Sequence, residues 1–296
     1  MSNKIIAKGD TVYIKISPDI HDLSTEQQIL FLRLTEGIFG YSEQIRNERL
    51  RILATDCNIQ YLLPYLSTFI RDGIHANIAY PDLTLLIYCV RMVKSLLSNP
   101  HINLVPVLHE IIPAILSCAL ARKISKYYYD NHWTLREFSV FLTATICEKY
   151  NNPVNNITNR VIGIYLKPLK NCTKYHLTSM YGAIKGLGSL GDEVIKTFLL
   201  PYLCNIGKIL FLLFEQSAST ITLKENNQVL LEAKHLRNVV LNVVAPVLLK
   251  TNNVNDGGLT YLQQFGYIGR FLYLEVKNLE KLDLKNPKSQ IQEVTT

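Results

Sequence analysis

The string Leu-Leu-Pro-Tyr-Leu occurs twice in this chain, at residues 62–66 and again at 199–203. Each copy lies inside a run whose apolar residues recur every three or four positions, the mark of a helix with one buried face. Related strings, LVPVL and APVLL, stand at 104–108 and 245–249. The prolines at 64 and 201 are 201 − 64, or 137, residues apart, close to three units of about 46 residues. A proline inside a helix removes one backbone hydrogen bond and bends the axis there. Its return at a fixed interval means that one bent helix is being reused along the chain.

A period of about 40–47 residues with two helices per unit, and proline in the first, is the signature of HEAT-type repeats. One such pair cannot bury its apolar stripe alone, so successive pairs stack into a continuous core. The expected fold class is therefore all-α: an α-solenoid of HEAT-type helix pairs with a short N-terminal extended arm. The arm is residues 1–24, where the alternating run TVYIKI at 11–16 ends at Ser17 and Pro18. Helices are expected over 26–39, 42–54, 58–72, a stretch opened by Pro81 and Asp82, 104–122, 130–150, 154–166, 175–190, 192–214, 228–249 and 258–279. Residues 216–227, rich in Ser, Thr and Asn, read as the longest loop. No Gly-rich linker interrupts the chain between Ser24 and Lys250, so 25–280 is expected to be one array. Residues 281–296 are polar and expected to fray.

The stretch 130–150, DNHWTLREFSVFLTATICEKY, holds the only Trp. Asp130 or Asn131 can cap it, Leu135, Phe138, Leu142 and Ile146 form its stripe, and Pro153 follows its end. Trp133 is expected to pack between helices.

Composition narrows the function classes. Hydrophobic residues make up 48% and charged ones 19%, a folding composition and not a disordered one. The net charge of +7 permits contact with an acidic protein surface or nucleic acid but establishes neither. None of the six cysteines forms a Cys-x-x-Cys pair, so no zinc site is expected. They read as reduced core residues of a cytosolic or nuclear protein. The apolar run 198–214 is shorter than a membrane span needs and reads as a buried core helix. The Gly186, Gly188, Gly191 set matches the dinucleotide fingerprint, but that motif needs a strand before it. Here it follows a helical run, and close helix packing is expected, with Gly191 ending the helix and Asp192 capping the next. No nucleophile in recognisable context accompanies His132, so neither catalysis nor a cofactor is expected.

Six segments in one order carry a family resemblance: RILATDCNIQYLLPYLSTFIRDGI (51–74), LTLLIYCVRMVKSLLSNP (83–100), LHEIIPAILSCALARKI (108–124), DNHWTLREF (130–138), NNITNR (155–160) and YGAIKGLGSLGDEVIKTFLLPYL (181–203). Together they resemble the C-terminal HEAT-repeat domain of transcription initiation factor TFIID subunit 6, over roughly 25–275. The resemblance implies an α-solenoid of about five HEAT-type helix pairs, without catalysis, and a nuclear scaffold role in TFIID and, in some organisms, SAGA. Its implied partners are other TFIID subunits, with no membrane; self-association and direct DNA contact stay open. Members of the family carry an N-terminal histone fold. Residues 1–24 are too short for one, so pairing with TFIID subunit 9 through it is not expected. The alternative is a HEAT-type adaptor outside transcription; an enzyme with a site between repeats has no positive support.

Partner binding is expected on outer helix faces and turns. Turns at 72–82, 126–132 and 151–159, if they share one edge, would form a strip with Arg71, Asp72, Tyr128, Asn131, His132, Trp133 and Arg136. Aromatic rings mixed with Arg are what interface cores favour. Arg91, Lys94 and Lys185 would extend it with positive charge.

Overall fold

The computed structural model describes residues 4–8, 11–15, 23–127, 129–219, 224–251 and 258–285. Two compact units divide the span expected to be a single array: Met1–Ile157 and Thr158–Thr296.

The first unit opens with a hairpin, not a lone extended arm. Strand β1 (Lys4–Lys8) pairs antiparallel with β2 (Thr11–Lys15), in register from Lys4 opposite Lys15 to Lys8 opposite Thr11. The period-two pattern marked the second strand; Lys-Ile-Ile-Ala-Lys at 4–8 does not alternate and gave no such signal.

Six helices follow: α1 (Thr25–Phe39), α2 (Glu43–Thr55), α3 (Ile59–Ala79), α4 (Leu83–Ser98), α5 (Leu108–Leu120) and α6 (His132–Tyr150). Ser24 starts α1 with a capping box: its hydroxyl accepts from the Gln27 N–H, and the Gln27 side chain accepts from the Ser24 N–H. Ser42 and Asp82 cap α2 and α4 in the same sense. Pro64 and Pro113 sit inside α3 and α5, as the repeat predicts. Pro106 opens a single 3-10 turn, Val105–Val107, ahead of α5. Residues 72–79, expected as loop, continue α3, and the turn shrinks to 80–82. Apolar Ile74 is fully buried there and holds the extra turns in the core.

Pairs α1/α2, α3/α4 and α5/α6 are hairpins; α1, α3 and α5 stack as one layer and α2, α4 and α6 as the other. Side-chain bonds fix the senses. Arg46 near the start of α2 donates to Ile38 and Gly40 at the end of α1, so the pair is antiparallel. Asn99 at the end of α4 donates to Leu53 and Asp56 at the end of α2, so helices within a layer are parallel. The turns inside pairs (40–42, 80–82, 121–131) therefore share one edge. The turns between pairs (56–58, 99–107, 151–156) lie at the opposite ends of the helices.

The second unit contains α7 (Ile157–Lys170), α8 (Leu177–Ser189), α9 (Asp192–Val194), α10 (Leu203–Ser219), α11 (Lys224–Thr251), α12 (Gly258–Phe265) and α13 (Gly269–Lys285). Here α8, α11 and α13 stack as one layer, while α10 packs on α12 and the turn after it. Counting α7 with α8, α10 with α11 and α12 with α13, the described residues form three pairs in each unit, against about five expected in all. Between α9 and α10 the helix is irregular: a π turn at Ile195–Leu199, then a 3-10 turn at Leu200–Tyr202. Pro201 explains the change of ladder, since it has no N–H to donate and its ring clashes with the carbonyl four residues before it. Of the loop expected at 216–227, residues 216–219 belong to α10 and 224–227 to α11, while 220–223 lie outside the described residues. The helix expected at 258–279 breaks at Gly266, whose φ of +60 falls where side chains are strained. The tail expected from Lys281 is helical to Lys285; residues 286–296 lie outside the described residues.

The helical run Asp192–Glu215 is long and apolar enough to cross a membrane by length and composition, with 28% of its apolar window buried. It is one-sided and not the fully buried helix expected. Ile195, Leu199, Leu203, Ile206 and Leu210 face inward while Phe211 and Leu212 are exposed.

Candidate interaction surface

The glycine motif is packing, not a phosphate cradle. A Cβ on Gly186 would fall 2.4 Å from Tyr165 Cζ, and one on Gly188 2.7 Å from Val243 Cγ1. Small residues here let α8 meet the rings and branches of α7 and α11. Gly191 has φ +114 and is itself the N-cap of α9. Asp192, expected as the cap, is the first helical residue, and its carboxylate accepts from Lys250 Nζ at 2.9 Å.

Arg136 is a correction. Expected beside the exposed strip, it is 1% exposed and among the largest fully buried side chains. Its guanidinium donates to the carbonyls of Ala119 (2.9 Å) and Arg122 (3.4 Å), and its Nε to His132 Nδ1 (3.3 Å). The last carbonyls of α5 have no partners within their own helix, and the guanidinium supplies them. Arg46 does the same work for α1 and also stacks its guanidinium 3.9 Å from the centre of the Tyr88 ring. Sequence reasoning missed Arg46 altogether. The shared signal was an Arg on the fourth or fifth residue of the second helix of a pair.

The other candidates on α3 and α4 join neighbouring helices. Arg71 binds Glu110 of α5 (2.9 Å) and its neighbour Asp72 (2.8 Å). The Asp72 hydrogen bond is the main cause holding the Arg71 pKa above its ordinary value. The same Glu110 accepts from Ser67 Oγ at 2.7 Å. Arg91 of α4 donates to Glu43 (2.9 Å) and Asn47 (2.6 Å) of α2. Both are staples within one layer, each partly open to solvent. Lys94 is exposed, its Nζ 5.8 Å from the centre of the Phe138 ring.

At the start of α6, Asn131 is the N-cap but makes no side-chain cap bond. Asp130 does not cap with its carboxylate either: that group accepts the hydroxyl of buried Ser125, and its backbone carbonyl accepts from His132 N–H. Trp133 is half-buried, with its ring 4.4 Å from that of His132. Tyr128 lies outside the described residues. Lys185 is half-buried on α8 of the second unit. The three turns do not form one strip: 80–82 and 121–131 share an edge, whereas 151–156 follows the far end of α6, about 27 Å along a 19-residue helix.

Burial disarms two of the thiols. It pushes Cys118 up to about 12 and Cys89 further still. Among the described residues no group of three or more His, Cys, Asp or Glu could hold a metal ion.

The profile described as the TAF6 C-terminal HEAT repeat domain matches residues 19–204. The chain belongs to the TAF6 C-terminal HEAT repeat domain family. It is 35% identical over 261 residues to the Drosophila melanogaster protein named transcription initiation factor TFIID subunit 6, covering 88% of this chain and 42% of that protein. It is 31% identical over 191 residues to the Schizosaccharomyces pombe SAGA complex/transcription factor TFIID complex subunit Taf6, covering 64% of this chain and 42% of that protein. The chain thus spans less than half the length of these relatives. The solved TAF6 C-terminal domain from Antonospora locustae superposes with a TM-score of 0.54 at 22% identity, covering 74% of this chain and 98% of that one. The likeness agrees with the layered helix pairs: the fold is an all-α HEAT-type solenoid.

Proposed function

We propose that this chain is a non-enzymatic, nuclear scaffold segment of the general transcription factor TFIID, with SAGA as a second assembly. Membership of the TAF6 C-terminal HEAT repeat family over 19–204 carries this reading. The relatives named as TFIID subunit 6, and the one named for both SAGA and TFIID, supply the two complexes. Stacked pairs whose polar bonds are spent between neighbouring helices suit a scaffold, because partners meet a preformed surface and the ordering cost is small. Residues 25–280 act as the working array. Arg71, Asp72, Arg91, Lys94, Asn131, His132, Trp133 and Lys185 stay as candidate contacts; Arg136 does not, since it is buried.

Purification of the tagged chain from native cells, followed by mass spectrometry, tests the proposal. Stoichiometric recovery of other TFIID subunits is the expected result. Recovery of transport or trafficking proteins without any TFIID subunit would refute it.

A further inference from the structure

Each turn inside a pair of the first unit carries an exposed tyrosine. Tyr41 is 104% exposed, Tyr80 61%, and Tyr127 and Tyr129 48% and 69%. The last two rings stack, 5.3 Å apart and inclined by 11°. The turns on the opposite edge, 56–58, 99–107 and 151–156, contain no tyrosine and are rich in asparagine. In the second unit, taken by itself, the turn between α7 and α8 carries Tyr175, 41% exposed. Rings this open contribute little to packing their own turns, so the fold does not account for their recurrence.

Helices of one layer pack about 8–10 Å apart, and successive turns on the edge share that spacing. A polyproline II strand has three residues per turn and rises about 3.1 Å per residue, so one side of it returns every ~9.3 Å. Aromatic-lined surfaces recognise this conformation, which has no internal hydrogen bonds to break and little freedom to lose. A tyrosine also offers its hydroxyl to a strand carbonyl. Charge gives the strip a direction. At the third turn Arg122, Lys123 and Lys126 are exposed, and Lys126 Nζ lies 5.7 Å from the Tyr127 ring centre. The carboxylate of Asp130 is engaged by Ser125, and that of Asp82, at the second turn, by the N–H groups of Thr84 and Leu85.

We propose that this edge docks a proline-rich segment of a partner protein in the polyproline II conformation, with acidic residues where it crosses the third turn. The proposal concerns the isolated chain and does not depend on its place in TFIID, so the two can fail separately.

The probe is a dansyl-labelled peptide of five Pro-Pro-Glu triplets, titrated with the full chain by fluorescence anisotropy. Saturable binding is expected, weakened about tenfold or more by Tyr80→Ala with Tyr129→Ala. Lys123→Glu with Lys126→Glu should weaken this peptide but not its Pro-Pro-Gln counterpart. A Gly-Gly-Glu peptide of equal length should bind about tenfold more weakly, having more freedom to lose. Tyr61→Ala, at a tyrosine 66% exposed but within α3, should change nothing. Thermal melts identify any variant that fails to fold, and single Tyr80→Ala and Tyr129→Ala chains then replace the double. No saturable binding, equal binding of Gly-Gly-Glu, or an equal loss with Tyr61→Ala would overturn the proposal. Self-association abolished by the same tyrosine changes would overturn it in favour of a second copy of this chain.

Discussion

Replacing Arg136 with Ala should be among the costliest single changes in the first unit. The bond to Ala119 at 2.9 Å is charge-assisted and buried, and such bonds are worth about 1.5–3 kcal/mol. The longer contacts to Arg122 and His132 add less. Truncation also strips the buried stem, at ~0.8 kcal/mol for each methylene lost from the core. Together these give about 3–5 kcal/mol, a large part of the ~5–15 kcal/mol that holds a domain together. Urea denaturation followed by circular dichroism reads this directly. With a slope of about 1–3 kcal/mol per molar urea, the midpoint of the first unit should fall by roughly 2 M. Arg71→Ala is the comparison. Its guanidinium is one-third exposed at 34%, and an ion pair of that kind contributes at most about 1 kcal/mol. Arg136→Lys should recover part of the loss, since one ammonium reaches one carbonyl but cannot fork between two. If Arg136→Ala and Arg71→Ala shift the midpoint equally, the reasoning from burial and capping is wrong.

Gly186→Ala should destabilise the second unit by about 1–3 kcal/mol, because the new methyl runs into the buried Tyr165 ring; a scanning-calorimetry transition that does not move would contradict this. Trp133→Ala should cost about 2 kcal/mol, less than the ~3–5 of a fully enclosed ring, as a shift in the urea midpoint will report. The Glu43 carboxyl is held below its ordinary value chiefly by the Arg91 hydrogen bond; burial opposes this, and the Arg46 hydrogen bond adds to the lowering. A depressed folded pKa contributes stability above the unfolded pKa and loses it as the pH falls through the folded one. Glu43→Gln should therefore narrow the gap between melting temperatures at neutral and mildly acidic pH, and an unchanged gap would count against the bridge.

The apolar periods and the recurring prolines made most helices legible from the sequence, because both follow from local backbone geometry. Pro201 was placed correctly, yet its effect was not: whether a proline bends an α-helix or converts it to π and 3-10 turns depends on what packs around it. The site was less legible. Arg136 and Arg71 look alike as letters in amphipathic helices, and only the position of a neighbouring helix end separates a buried cap from a solvated staple. The glycine motif was readable because its context, a helix where a strand is required, is itself local. The edge positions of the turns depended on which helices run parallel, information carried by contacts such as Asn99 to Leu53, which are 46 residues apart, a full repeat.

Those contacts also give the first unit a polarity. The end of α2 is closed by Asn99 of α4, and the end of α4 by Lys149 of α6, whose Nζ reaches the Leu97 carbonyl at 3.0 Å. At both of these steps along the layer, the helix end of one pair is closed by a side chain of the next. Deleting the last pair would uncover the Leu97 carbonyl on the pair before it, while deleting the first would remove the acceptors of Asn99 and of Arg91, two donors that can turn to water. A nested series of fragments should therefore tolerate shortening from one side better than from the other, and during synthesis each pair would stay unsealed until the next one emerged.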